Sequence, residues 1–152
     1  MESERYQQGM KIMRQHFGPM ADRYIERIRE ISSEFAKVNV EFPFGELYAR
    51  DTLDDKTREL CAMAALTVQG FALPELKVHV HGALNCGATR DEVVEVIIQM
   101  TAYCGFPAAT NALLAAKDVF DVRGLRAEKD YFILNTDTST CADYFIYESN
   151  LL

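Results

Sequence analysis

Apolar residues recur at helical spacing over most of the first 120 positions of this 152-residue chain. In residues 3–17 the spacing predicts a first helix whose apolar face is formed by Tyr6, Met10, Met13 and Phe17. Gly18-Pro19 ends it. A second helix is predicted over about 20–37, with a stripe of Tyr24, Ile25, Ile28, Ile31 and Phe35. Residues 38–45 contain a proline and a glycine and are predicted to form a loop.

The signals that begin and end helices are clearer in the second half. Asp54 is positioned to cap a third helix running to about residue 69, and Pro74 fits the first turn of a fourth, which ends before Gly87. Thr89 and Glu92 form a capping box that starts a fifth helix. The segment 105–107, Gly-Phe-Pro, breaks the pattern, and a sixth helix follows to about residue 120.

These elements predict an all-α protein: a single-domain bundle of about six helices over residues 1–124. Residues 125–152 form a C-terminal extension with a different pattern. Two apolar clusters, 131–134 and 144–147, flank a polar stretch. They are compatible with a hairpin or an arm that docks on a neighbouring subunit, and equally with a poorly ordered tail.

The net charge of −7 argues against binding to nucleic acid or to an anionic membrane surface. The N-terminal residues are charged and lack the apolar core of a secretory signal. The strongly apolar stretches, such as residues 61–68, are shorter than a membrane span. We therefore expect a cytoplasmic protein whose four cysteines are reduced thiols.

Candidate chemistry lies between residues 43 and 111. His79 and His81 are two positions apart on the fourth helix, so they point to nearly opposite sides and cannot easily form one metal site. Metal-binding motifs such as His-Glu-x-x-His and Cys-x-x-Cys are missing, so no metal is predicted. His79 shares a face with apolar residues, which suits either a structural histidine or one that transfers a proton.

Two further features leave alternatives open. Glu46 and Arg50 are four residues apart and could form a solvent-exposed ion pair. Alternatively, Arg50 could bind a substrate carboxylate while Glu46 orients a proton donor. The cysteines at 61, 86, 104 and 141 are far apart in sequence, which favours inert thiols over a redox pair.

Three blocks of sequence together resemble the carboxymuconolactone decarboxylase family. They are Phe44-Gly45-Glu46-Leu47-Tyr48-Ala49-Arg50 with residues 53–60, Glu75 to Gly87 around His79, and Thr89 to Ala109. Their order, spacing and capping residues match, and the resemblance covers about residues 4–124. The tail lies outside the usual family pattern. The typical family enzyme has an arginine where this chain has His81, which puts the usual substrate in doubt.

The resemblance implies an alkylhydroperoxidase D-like all-helical subunit that assembles into a ring, commonly a homohexamer built as a trimer of dimers. It implies neither a metal nor an organic cofactor. By the same resemblance, His79 is the proton donor and Glu46 a second catalytic residue. Arg50, Tyr48 and His81 are then candidates for binding a small carboxylate substrate.

The function expected from the resemblance is cofactor-independent decarboxylation of a small lactone or carboxylic acid similar to 4-carboxymuconolactone. Two alternatives remain at this point. One is a thiol-dependent peroxidase or oxidoreductase, although the Cys-x-x-Cys pair of that branch of the family is missing. The other is a ring-forming binding protein without catalysis.

Overall fold

A computed structural model of the chain describes residues 2–126. Within this range the fold is all-helical and contains no strand, which confirms the predicted class. The elements are α1 (Glu4–Phe17), α2 (Met20–Ile31), α3 (Ser33–Glu41), a π-helical turn (Pro43–Leu47), α4 (Asp55–Gln69), α5 (Leu73–Asn85) and α6 (Arg90–Val122). The C-terminal extension, predicted to be a hairpin, a docking arm or a poorly ordered tail, lies almost wholly outside the described residues.

The second predicted helix is in fact two helices. Ser32 has an extended backbone, with φ −152° and ψ 109°, and its hydroxyl accepts a hydrogen bond from the amide of Phe35. It therefore caps α3 and separates it from α2. The change of direction disrupts the predicted stripe: Ile25 is buried, whereas Ile31 and Phe35 are exposed.

The predicted loop over 38–45 is also wrong. Residues up to Glu41 belong to α3, and Pro43–Leu47 forms a π-helical turn. Its backbone bonds run from the amides of Leu47 and Tyr48 to carbonyls five residues earlier. Gly45 packs directly against the backbone of Arg5, where a Cβ would not fit, so this glycine lets the turn lie against α1.

The remaining helices begin where the sequence predicts. The side chain of Asp54 caps α4 by accepting from the amide of Thr57, and the capping box of Thr89 and Glu92 starts α6. The expected break at Gly105 is a sharp bend with φ 76° and ψ 168°. The fifth and sixth predicted helices are the two arms of α6.

The core has two parts, and the candidate site lies between them. One part is formed mainly by α4, α5 and α6 and includes Met63, Leu76 and Ile97. The other is formed by α1, α2, α3 and the π-helical turn and includes Ile25 and Val40. Helix α5 belongs to the first cluster but also packs against α1, so it carries side chains to the boundary between them.

Helix α6 is long and apolar enough, by length and composition, to cross a membrane. This differs from the expectation that the apolar stretches are all shorter than a membrane span. This one helix is weak support for a membrane span, because core helices meet the same criterion. Eight of its side chains are buried in the fold, among them Val93, Ile97 and Phe120.

Candidate active site

A cavity of about 480 Å³ lies at the boundary between the two core clusters. Every helix except α6 contributes to its wall, and so does the π-helical turn. The wall is largely apolar, with Met13, Phe17, Met20, Phe44, Leu66 and Val78 among its residues. Its polar side chains are Tyr24, Asn39, Tyr48, Glu75 and His79. A cavity of this size and composition suits a small organic ligand.

His79 lies at the wall of this cavity. Its side chain is 20% exposed, and its ring packs edge-on against Phe17, with 5.6 Å between centroids. Nδ1 lies 2.7 Å from Oε2 of Glu59 and donates a hydrogen bond to this oxygen. Because Nδ1 is engaged, Nε2 is the ring nitrogen that remains for a ligand.

Glu59 is a fully buried carboxylate that contacts two histidines. Its Oε1 lies 2.7 Å from Nδ1 of His16, on the side opposite to His79. Burial opposes the charge of the Glu59 carboxyl, but hydrogen bonds from His16 and His79 outweigh burial and lower its pKa. The site therefore contains an ionised carboxylate held between two imidazoles.

His16 is completely buried at the end of α1. Burial disfavours its protonated form, but the hydrogen bond with Glu59 and the charges of Glu59 and Asp55 raise its pKa above the ordinary value. Nε2 of His16 lies 3.4 Å from Oδ2 of Asp55. This nitrogen is buried and makes no well-formed hydrogen bond within residues 2–126.

Tyr48, a predicted substrate-binding residue, lines the cavity. Its hydroxyl is buried near the Glu59 carboxylate but forms no hydrogen bond of normal geometry with any described residue. Burial, followed by the charge of Glu59, raises the pKa of Tyr48, so the phenol stays protonated. A buried hydroxyl without a partner is unusual in a folded protein, which makes Tyr48 a candidate contact for a ligand.

The other predicted site residues do not line the cavity. Glu46 forms an exposed ion pair with Arg5, with 3.1 Å between Nη1 and Oε2. Arg50 is exposed, and its carbonyl accepts a hydrogen bond from Arg58. The alternative of an ion pair between Glu46 and Arg50 is also not seen. Their predicted roles at the site stay predictions.

His81 points away from His79, as their spacing predicts. Its side chain faces Arg123, with 3.4 Å between Nδ1 and Nη1. Burial and the charge of Arg123 lower the pKa of His81, so its imidazole is mainly neutral at pH 7. Its role in binding substrate stays a prediction.

The three cysteines in the described range are free thiols. Cys61 is exposed, and the thiol of Cys104 donates to the carbonyl of Met100. Burial, with the charges of Glu59 and Asp55, raises the pKa of Cys86 to about 12. A thiol with this pKa is a poor nucleophile, so Cys86 by itself does not resemble a redox centre. Cys141 lies outside the described residues.

Our interpretation of the sequence missed both partners of the His79 site, His16 and Glu59. The sequence does contain a signal for these two residues, because each is a titratable residue on the apolar face of a predicted helix. Glu59 is followed at helical spacing by Met63 and Thr67, and His16 shares a face with Met13. Polar residues at such positions are usually paired and often functional.

The profile of the carboxymuconolactone decarboxylase family matches residues 33–118, more than half of the chain. The chain belongs to this family. The matched segment includes Glu59, His79 and the π-helical turn, whereas His16 lies before it. The match therefore covers α3, the π-helical turn, α4 and α5 of the cavity wall. Helices α1 and α2, with His16 and its contact with Glu59, lie outside the matched segment.

Three curated proteins are similar to this family member. It is 31% identical to the 4-carboxymuconolactone decarboxylase of Acinetobacter baylyi over 84% of this chain and 96% of the relative. It is 27% identical to the nitrosuccinic acid decarboxylase npaB of Metarhizium robertsii, over 74% of this chain and 78% of the relative. An uncharacterised 15.0 kDa protein of Paracoccus denitrificans is 44% identical over 53% and 61% of the two chains. Relatives named as decarboxylases support a carboxy-lyase at the level of the family.

Proposed function

We propose that this protein decarboxylates a small lactone or carboxylic acid resembling 4-carboxymuconolactone, with His79 as the proton donor. One observation carries the proposal: an imidazole lies at the wall of a largely apolar cavity, with its inner nitrogen held by a buried carboxylate. Two relatives named as decarboxylases have different substrates. The proposal therefore specifies a substrate class rather than one compound.

The proposed step needs few protein groups. The bond between the substrate carbon and its carboxylate breaks, carbon dioxide leaves, and the electron pair moves into the conjugated carbonyl of the substrate. His79, protonated on both nitrogens, then gives the Nε2 proton to carbon and becomes neutral. Glu59 accepts the hydrogen bond from Nδ1 and keeps Nε2 directed away from itself, so we assign it as a positioning residue.

The apolar wall assists the loss of carbon dioxide. A carboxylate loses hydration when it enters such a cavity, whereas the neutral product does not need that hydration. Polar contacts to the rest of the substrate must then come from few residues. Tyr48 and Asn39 both line the cavity, and we propose that their polar groups bind substrate oxygens.

We also propose a homo-oligomer, with a hexamer of three dimers as the expected form. Large apolar side chains are exposed on the described part of the subunit: Ile31 is 85% exposed, Phe71 80% and Phe106 79%. Exposed apolar residues of this kind favour contact with another subunit. Light scattering after size-exclusion chromatography measures the assembly, and a monomer at micromolar concentration would contradict this part of the proposal.

The test is an assay with 4-carboxymuconolactone and nitrosuccinate, monitored by release of carbon dioxide. For the substrate that is turned over, we expect the kcat of His79→Asn to fall at least about 100-fold, since a positioned general acid contributes about that much or more. Lys77→Gln is the control, because Lys77 is on the same helix but pairs with Asp118 at the surface. Circular dichroism verifies that both variants are folded.

Other results would favour the alternatives. Turnover by His79→Asn at the wild-type rate would rule out this residue as the proton donor. Peroxide reduction that is lost in Cys→Ser variants but kept in His79→Asn would favour a thiol enzyme. Binding of small carboxylates without turnover of any would favour a non-catalytic binding protein.

A further inference from the structure

Three possible metal ligands meet beside the Glu59 carboxylate but outside the wall of the cavity. They are Nε2 of His16, a carboxylate oxygen of Asp55 and Sγ of Cys86, and all lie within 4.8 Å of one another. His16 is at the end of α1, Asp55 begins α4, and Cys86 directly follows α5. They are 39 and 31 positions apart along the chain, so no short sequence motif could indicate this cluster.

His16 provides the strongest sign of a bound cation. The residue is fully buried, and its Nε2 makes no well-formed hydrogen bond with any residue in the range 2–126. Its other nitrogen donates to Glu59. In the tautomer that binds a metal, the proton is on Nδ1 and the lone pair of Nε2 is on the side of the other two ligands. A buried nitrogen without a partner has a free-energy cost, which a metal ion would remove.

The arrangement around His16 is the one that metal-binding histidines usually have. Such a histidine donates its second ring N–H to a carboxylate, which fixes the tautomer and the ring orientation. Glu59 takes this place at 2.7 Å. The local charge is also suitable. Two carboxylates, Asp55 and Glu59, lie near His16, and among residues 2–126 no Lys or Arg is paired with either of them.

The donor types and the distance between the nitrogen and oxygen ligands suit zinc. With Zn–N and Zn–O bonds of about 2.1 Å, a tetrahedral site separates a nitrogen from an oxygen ligand by about 3.4 Å. Nε2 of His16 and Oδ2 of Asp55 are 3.4 Å apart. One nitrogen, one oxygen and one sulfur donor form a set that Zn²⁺ accepts and that Mg²⁺ and Ca²⁺ do not favour.

We propose that His16, Asp55 and Cys86 bind one Zn²⁺ ion, with a fourth position left for water. Binding releases the thiol proton of Cys86 to solvent, together with the Nε2 proton of His16 where the ring is doubly protonated, and leaves Nδ1–H of His16 on Glu59. The ion would tie α1 to α4 and α5 and fix the carboxylate that holds His79. No ligand lines the cavity, so the ion has no part in the proposed decarboxylation step, and this inference does not depend on that function.

The first measurement uses Co²⁺ as a spectroscopic substitute for Zn²⁺ on the full chain after chelator treatment. We expect saturation at one Co²⁺ per subunit, a thiolate-to-cobalt charge-transfer band, and loss of the band when Zn²⁺ is added. Cys86→Ser should remove the band. His16→Gln should raise the Kd for Zn²⁺ at least about tenfold, as measured by competition with a metal indicator. Cys61→Ser is the matched control and should behave as wild type, because Cys61 is exposed and outside the cluster.

Two results would overturn the proposal. The first is the lack of stoichiometric Co²⁺ or Zn²⁺ binding by folded wild-type protein. The second is a thiolate band that survives in Cys86→Ser, which would assign the metal to another cysteine. If His16→Gln does not fold, the Cys86→Ser result decides, since Cys86 directly follows α5, is partly exposed and is replaced by a residue of nearly the same size.

Discussion

Gly82 packs against Glu59 so closely that a Cβ on residue 82 would lie 2.7 Å from Oε2 of the carboxylate. The same Cβ would lie 2.7 Å from Cε1 of Phe17, which lines the cavity. Gly82 is in the middle of α5, where glycine is less favourable than alanine for helix stability. Its small size is therefore needed for α5 to approach the site, and it leaves Oε2 free for His79.

The first prediction follows from this contact. We expect Gly82→Ala to lower the free energy of unfolding by about 1–3 kcal/mol, because a methyl group must displace buried atoms that have little room to move. It should also lower kcat, since the displaced oxygen is the one that holds His79. Urea denaturation and the decarboxylase assay measure the two effects. A variant as stable as wild type would show that this contact is looser than the structure indicates.

The second prediction concerns Glu59→Gln. A glutamine has one acceptor oxygen and one donor NH₂, so it cannot accept hydrogen bonds from both His16 and His79. We expect kcat to fall at least about tenfold, whereas KM changes little because Glu59 does not line the cavity. Steady-state kinetics separate the two constants.

The matched control for Glu59→Gln is Glu75→Gln. Glu75 lies one turn before His79 on α5 and lines the cavity, but it makes no ion pair with a described residue. We expect its replacement to affect mainly KM. A larger loss of kcat in Glu75→Gln than in Glu59→Gln would contradict the assignment of Glu59 as the positioning residue.

The sequence predicted the local structure well where a single residue determines it. Asp54, the Thr89–Glu92 box and Gly105 each act on the neighbouring backbone, so their effects can be recognised from adjacent positions. The break at Ser32 was missed because the flanking residues continue an apolar helical pattern. The capping hydrogen bond of Ser32 competes with a continuous helix through this residue, and the apolar pattern does not indicate which of the two structures forms.

The site was predictable only in part, for a similar reason. His79 was recognised from a family resemblance, and Tyr48 proved to line the cavity. Glu59 and His16 are 20 and 63 positions from His79, and only the packing of α1 and α4 on α5 brings them together. Arg50 is only two residues from Tyr48, but it comes after the π-helical turn has ended and is exposed to solvent.

The third prediction is a pH dependence of stability. The pKa of Glu59 is lower in the folded protein than its usual 4.5, so its ionised form stabilises the fold above pH 4.5. This stabilisation is lost as the pH falls through the lowered pKa. The pKa of His16 is raised above 6.5, so its protonated form stabilises the fold below pH 6.5, and this contribution is lost as the pH rises through the raised value.

We therefore expect the difference in unfolding free energy between wild type and Glu59→Gln to be largest between pH 4.5 and 6.5 and to decrease on both sides. The measurement is urea denaturation at a series of pH values with chelator present. A difference that is constant with pH would mean that the charges of this pair do not contribute to stability.

The fourth prediction tests whether the cavity is where the substrate binds. Ala62 lies on α4 in the cavity wall. Ala62→Leu adds three carbon atoms to this wall and replaces neither member of the pair of Glu59 and His79. We expect KM for a small carboxylate to rise at least about tenfold, which corresponds to about 1.4 kcal/mol of lost binding free energy. Ala65→Leu is the control, because Ala65 is on the exposed side of the same helix. Equal KM values for the two leucine variants would place the substrate outside the cavity, and the role of His79 would then lack its main support.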